Sequence, residues 1–206
     1  MKQPLGVILA GGQALRMGGV DKAMLPLGGK TLLDHVIARL DPQVGSLALN
    51  ANGDASRFRR YPMPVIGDSV DGFVGPLAGV LAGLDWAAAQ GAETIVTVAA
   101  DTPFFPFDLV PRLLLAAEGR PHPLALAATR AEDGRLLRQP TFGLWPVSLR
   151  EDLRKSLKEG VRKVVLWTSK HSASYSVFPI EMGDPFFNIN TPEDLERAQG
   201  MIGSAT

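Results

Sequence analysis

The chain has no cysteine among its 206 residues. Disulfides, thiolate zinc sites and a cysteine nucleophile are therefore excluded. Long apolar runs are also missing. The apolar stretch Leu5–Ala10 passes straight into glycines and is too short for a signal-peptide core. Nothing approaches the ~20 apolar residues that a membrane helix needs. Neither sign of charge is in excess, since 21 Lys and Arg face 21 Asp and Glu. That balance argues against general nucleic-acid binding, which draws on a basic surplus, and leaves room for a small charged pocket. A cytoplasmic protein with no membrane or nucleic-acid partner is expected. Histidine is scarce, and none of the three, His35, His122 and His171, belongs to a recognisable motif.

Two familiar phosphate-binding patterns are absent as well. The loop behind Leu5–Ala10 offers Gly11-Gly12 and Gly18-Gly19, not the G-x-G-x-x-G of dinucleotide-binding proteins. Gly29-Lys30-Thr31 would close a P-loop only if glycine stood at position 24, and that residue is Met24. The "LGGK" stretch then reads as a turn before a helix starting near Thr31.

What is present is an alternation. Hydrophobic residues make up 46% of the chain, enough for a sizeable core, and the length fits one domain over residues 1–206. A short apolar run at 5–10 and further segments at 46–52, 63–69, 93–101 and 123–130 read as strands. Helical spacing occupies 31–40, 75–90 and 107–118. Strand, helix, strand in succession implies crossovers, and hence an α/β, Rossmann-like three-layer sandwich around a mostly parallel sheet. The last third is less regular. It offers a strand at 139–147, a helix at 148–160, an edge-like strand at 173–180, and a closing helix. Thr191, Pro192, Glu193 and Asp194 mark the start of that helix.

Ligands of such sheets sit beyond the carboxyl ends of the strands. The loop "GGQALRMGGVDK" (11–22) leaves such an end. Its glycines let backbone N–H groups approach an anion, while Arg16 and Lys22 add a guanidinium fork and a point charge. A polyphosphate cradle is the expectation. Asp101 ends the run "TIVTVAA" at the same rim. Beside phosphates, one carboxylate suffices to hold Mg²⁺, and on its own it reads equally as a turn residue. Asn50 and Asp68 follow strand-like runs. By spacing they are turn residues or base contacts, a carboxylate being able to accept from N1–H and N2–H₂ of guanine. Trp86, Trp145 and Trp167 read as packing residues.

In order, "LAGGQALRMGGVDKAML", "NAN", "VIGDS", "GPLAG", "ADTPF" and "NINTPEDL" resemble the molybdenum cofactor guanylyltransferases, from about residue 5 to residue 200. The resemblance implies transfer of GMP from GTP to the terminal phosphate of molybdenum-bound molybdopterin, with Mg²⁺ as cofactor. It implies nucleotide contacts from Leu9, Ala10, Gly11, Gly12, Lys22, Asn50, Asp68 and Asp101. Asp101 would be the metal ligand, with Lys22 and Arg16 assisting catalysis. Arg162, Asn188 and Asn190 would face the pterin. On this reading residues 1–120 hold the nucleotide and 121–206 the pterin. A monomer making transient contacts with cofactor-insertion or acceptor molybdoproteins is expected. The alternatives are a relative using CTP or a sugar-phosphate acceptor, and a non-catalytic nucleotide-binding module.

Overall fold

The computed structural model describes residues 2–11, 21–70, 75–180 and 183–203. A seven-stranded sheet forms its centre. The strands are β1 (Leu5–Leu9), β4 (Leu47–Asn50), β5 (Val65–Ile66), β6 (Thr94–Ala99), β7 (Ala125–Arg130), β8 (Leu136–Pro146) and β9 (Ser174–Val177), in the spatial order β5-β4-β1-β6-β8-β7-β9. Pairing is parallel from β5 through β6 and between β7 and β9, whereas β8 runs antiparallel to both of its neighbours. The mostly parallel sheet expected from the alternation is therefore present, with one reversed strand. A separate two-stranded hairpin, β2 (Pro26–Leu27) and β3 (Lys30–Thr31), turns through Gly28 and Gly29 at φ 56° and 79°. Positive φ at both central positions is what a type I′ two-residue hairpin loop requires, and glycine adopts it without strain. "LGGK" is thus a turn.

Alternate residues of each strand supply opposite faces. On one face Ile8, Val96 and Val98 pack with Leu33, Val36 and Leu40 of α1 (Leu32–Leu40) and with Leu109 and Leu113 of α3 (Leu109–Ala117). On the other, Val7, Leu9 and Ile95 meet Val80, Leu81 and Leu84 of α2 (Pro76–Ala89), with Leu153 of α4 (Arg150–Lys158) and Trp167 of α5 (Val164–Lys170). A smaller cluster of Leu27, Leu32, Ile189 and Ala198 seats α6 (Pro192–Gly203) near the hairpin. Among the described residues, no helix is long and apolar enough to cross a membrane.

Helix starts follow their local chemistry. Thr31 and Asp34 form a reciprocal capping box at α1. At α6, the Asp194 N–H donates to Thr191 Oγ1 at 3.1 Å, and the Thr191 N–H donates to Asp194 Oδ2 at 2.9 Å. Two expected packing residues are buried: Trp145, whose Nε1–H donates to Thr97 Oγ1 at 2.8 Å, and Trp167. Trp86 is half-buried.

Asp152 ties α5 to α4. It accepts from Lys170 Nζ at 2.9 Å, Trp167 Nε1 at 3.0 Å and the His171 ring at 2.8 Å. Burial pushes its carboxyl up, but hydrogen bonds from Lys170, His171 and Trp167 outweigh this and bring it down to about 2. Because the folded value lies below the ordinary 3.8, the stabilisation is complete above 3.8 and fades as pH falls toward about 2. We expect Asp152→Asn to lower unfolding free energy at neutral pH by about 1–2 kcal/mol. Urea unfolding should show the gap to the wild type shrinking through that acid window.

Candidate active site

Strands β5, β4, β1 and β6 run the same way, so their carboxyl ends share a rim. Leu9 ends β1. The next N–H, of Ala10, donates to the Asn50 carbonyl at 2.9 Å, and a Cβ on Gly11 would stand 3.2 Å from Asn50 Oδ1. This packs the start of the glycine-rich loop against the end of β4. Gly12 and Arg16 lie outside the described residues.

Three distant parts of the chain converge on one cation. Lys22 Nζ donates to Asp101 Oδ2 and to Asn190 Oδ1, each at 2.6 Å. The Lys22 and Asp101 side chains are 17% and 23% exposed, so the pair is only partly screened by water. Asp21 holds the turn that presents Lys22. Its Oδ1 accepts from the Ala23 N–H at 3.1 Å, and its Oδ2 pairs with Arg57 Nε at 2.9 Å. Asp101 stands two residues beyond the end of β6. Its carbonyl accepts from the Ile189 N–H at 2.9 Å, and the Ile189 side chain is fully buried. That anchor delivers Asn190 to Lys22. Asn188 lies exposed on the same segment.

The second group lies at the ends of β4 and β5. Asn50, only 2% exposed, donates through Nδ2 to the Ile66 carbonyl at 3.2 Å and to Asp68 Oδ1 at 3.0 Å. Asn52 Nδ2 donates to Asp68 Oδ2 at 2.7 Å, and its Oδ1 accepts from the Asp68 N–H at 2.9 Å. The sequence points to Asn50 and Asp68, while Asn52 is marked there only by its place as the second asparagine of "NAN".

The geometry thus brings Lys22, Asp101 and Asn190 together, and Asn50 with Asp68, beside Leu9, Ala10 and Gly11. Arg162 donates to the carbonyls of Leu157 and Val161 at 2.9 and 3.0 Å, and its own carbonyl lies 3.9 Å from a Cβ built on Gly75 at the start of α2. Two histidines serve structure: His171 bonds Asp152, and the His35 ring bonds the Leu27 carbonyl at 2.8 Å.

Chemically, the rim offers an ammonium for anionic oxygens. It also offers hard oxygen donors suited to a divalent cation, and a carboxylate with lone pairs to spare. An open, mostly parallel sheet with such groups at its carboxyl rim is a nucleotide-handling α/β architecture. Comparison with known proteins narrows the class. A family model described as the MobA-like NTP transferase domain matches residues 6–173. A Bradyrhizobium sp. (strain ORS 278) protein named molybdenum cofactor guanylyltransferase is 51% identical over 197 residues, covering 94% of this chain and 91% of its own. A Mesorhizobium japonicum protein of the same name is 47% identical over 206 residues, covering 98% and 97%. A solved structure titled molybdopterin-guanine dinucleotide biosynthesis protein A, from Archaeoglobus fulgidus, shares the fold at TM-score 0.71 and 23% identity, covering 97% of this chain and 99% of its own. The chain belongs to the MobA-like NTP transferase family, and it is a nucleotidyltransferase.

Asn50 reaches Asp68 only because α2 has no side chain at Gly79. A Cβ there would overlap Asn50 Oδ1 and come within 2.9 Å of Leu9 Cδ2. Asn50 is buried, so the overlap cannot be relieved into solvent. Gly79→Ala should displace Asn50 and weaken nucleotide binding by about tenfold or more while the protein stays folded. Calorimetric titration beside a thermal melt would check this.

Proposed function

We propose that the protein transfers GMP from GTP to the terminal phosphate of molybdenum-bound molybdopterin, giving the guanine dinucleotide form of the cofactor and pyrophosphate. The observation that carries this reading is the meeting of Lys22, Asp101 and Asn190 at 2.6 Å, beside the amide-held Asp68. The names of relatives at about half identity agree with it.

The nucleophile is already an anion, so no general base is required. A phosphate oxygen of the pterin attacks the α-phosphorus. A new P–O bond forms, the α–β bridging bond breaks, and its electron pair leaves with pyrophosphate. What the enzyme supplies is alignment and charge stabilisation. Lys22 would donate to the phosphate oxygens where charge accumulates, aided by Arg16 and the N–H groups of Gly11 and Gly12. Leu9 and Ala10 would floor the nucleoside, and Asn50 and Asp68 would read the base. Arg162, Asn188 and Asn190 would face the pterin, dividing the chain into a nucleotide part up to about residue 120 and a pterin part beyond it.

The residues present suit Mg²⁺. Asp101 and Asn190 present hard oxygen donors that already converge on a cation. No group of three or more His, Cys, Asp or Glu forms a metal cluster among the described residues. Most ligands would then come from phosphates and water, as is usual for this ion. When bound, Mg²⁺ supplies neutralisation of phosphate charge. We further propose a cytoplasmic monomer that passes its product to acceptor or insertion proteins, because a labile cofactor gains from direct handover.

Incubation with a molybdopterin-loaded acceptor, Mg²⁺ and α-labelled GTP, with CTP and ATP in parallel, tests the reading. Label should reach the pterin from GTP alone. Label from CTP would keep the chemistry and overturn the base assignment. No label from any nucleotide would leave a binding module. Asp101→Ala should lower turnover by about a thousandfold, and Lys22→Ala by about a hundredfold or more, both variants remaining folded.

A further inference from the structure

Asp68 is fixed without being neutralised. Its oxygens accept from two neutral amides, Asn50 Nδ2 at 3.0 Å and Asn52 Nδ2 at 2.7 Å. None of the ion pairs among the described residues includes it. A carboxylate has about four lone-pair sites. Two are used by the amides, and no other donor among the described residues takes the rest.

The two amides do different work. Asn50 is buried and bonds only one carboxylate oxygen. Asn52 closes a ring with Asp68, donating to Oδ2 while accepting from the Asp68 N–H at 2.9 Å. That pair of bonds links side chain to backbone, so it fixes both the plane of the carboxylate and the strand end that carries it. Asn52 is itself braced, since its carbonyl accepts from Arg57 at 2.7 Å and Arg57 pairs with Asp21 at 2.9 Å.

Resting on the guanylyl reading above, we infer that Asn52 is the positioning residue that sets base choice, by locking the Asp68 carboxylate toward the adjacent N1–H and N2–H₂ donors of guanine. Cytosine and adenine put a ring acceptor beside their amino group, and a fixed carboxylate opposing that acceptor is repelled. A carboxylate free to rotate would use a single donor of any base. Loss of Asn52 therefore changes discrimination as well as affinity, whereas general loosening of the site weakens all nucleotides alike.

Calorimetric titration of the full chain with GDP, IDP and CDP in the presence of Mg²⁺ tests this without a pterin substrate. IDP lacks the 2-amino group. The wild type should favour GDP over IDP by about tenfold or more, the worth of one hydrogen bond to a charged group. In Asn52→Ala, GDP binding should weaken about tenfold and the preference over IDP should fall to about threefold or less. Asn52→Asp keeps the size and the acceptor for the Asp68 N–H but sets a like charge against Asp68. It should lose the preference too, with weaker GDP binding still. Asn52 is exposed, so Asn52→Ala should melt with the wild type. An unchanged GDP-to-IDP ratio in Asn52→Ala, with the wild type still preferring GDP, overturns this inference and leaves the guanylyl reading standing. A wild type that prefers CDP removes both.

Discussion

The bond from Lys22 to Asp101 and Asn190 is the constraint around which the rim is organised. It joins residues 79 and 168 positions apart in sequence. Each comes from a different segment of the chain. Lys22 leaves the loop after β1, Asp101 stands just beyond the central strand β6, and Asn190 lies just before α6. No local preference would bring them together. The buried Ile189 side chain and its N–H bond to the Asp101 carbonyl hold the third partner in place. The ammonium balances one carboxylate there, whereas no ion pair among the described residues includes Asp68. One rim thus carries an ion pair at Lys22 and an amide-held carboxylate at Asp68.

Close approach of α2 to the sheet makes that second end possible. Gly79 and Gly83 lie one turn apart on the face turned to β1. A Cβ at Gly83 would come within 2.8 Å of Val7 and 2.9 Å of Ile95, just as one at Gly79 would collide with Asn50. Helix and sheet therefore pack almost backbone to side chain, and the space gained is filled by a buried polar residue. Burial of an unpaired amide would be costly. Asn50 avoids that cost through its bonds to Ile66 and Asp68. The packing residue and the residue of the candidate site are in this case one and the same.

Much of this is legible in the residues, and the exceptions have physical causes. Leu5–Leu9 and Thr94–Ala99 are short runs rich in apolar and β-branched residues because both of their faces are covered, and such runs read plainly. Thr191 and Asp194 announce α6 through capping chemistry that is local. By contrast, α5 begins Val-Val-Leu, which periodicity alone does not mark as a helix. It is held by burial of Trp167 and by the bonds at Asp152. The reversal of β8 is a matter of pairing with β6 and β7, and nothing in its own residues states a direction. Lys22 and Asp101 stand out as charged groups in a glycine-rich loop and behind an apolar strand, whereas Asn50 and Asp68 read by spacing as turn residues as readily as base contacts. Asn52 does not stand out, since an exposed asparagine in a turn looks ordinary until its partner across β5 is known.

The two ends of the rim are mechanically joined. Arg57 pairs with Asp21, which holds the turn of Lys22, and also donates to the carbonyl of Asn52, which holds Asp68. Its neighbour Phe58 is 1% exposed and lies 4.8 Å beneath the guanidinium. The short turn bearing Arg57 is thereby anchored in the core while its side chain spans the gap between the cation and the carboxylate. A mobile surface cation would lose side-chain entropy in making these two bonds. Anchoring by Phe58 reduces that loss, because the arginine stem is already confined over the ring. Arg57 thus bonds one residue at each end of the rim, Asp21 beside Lys22 and Asn52 beside Asp68.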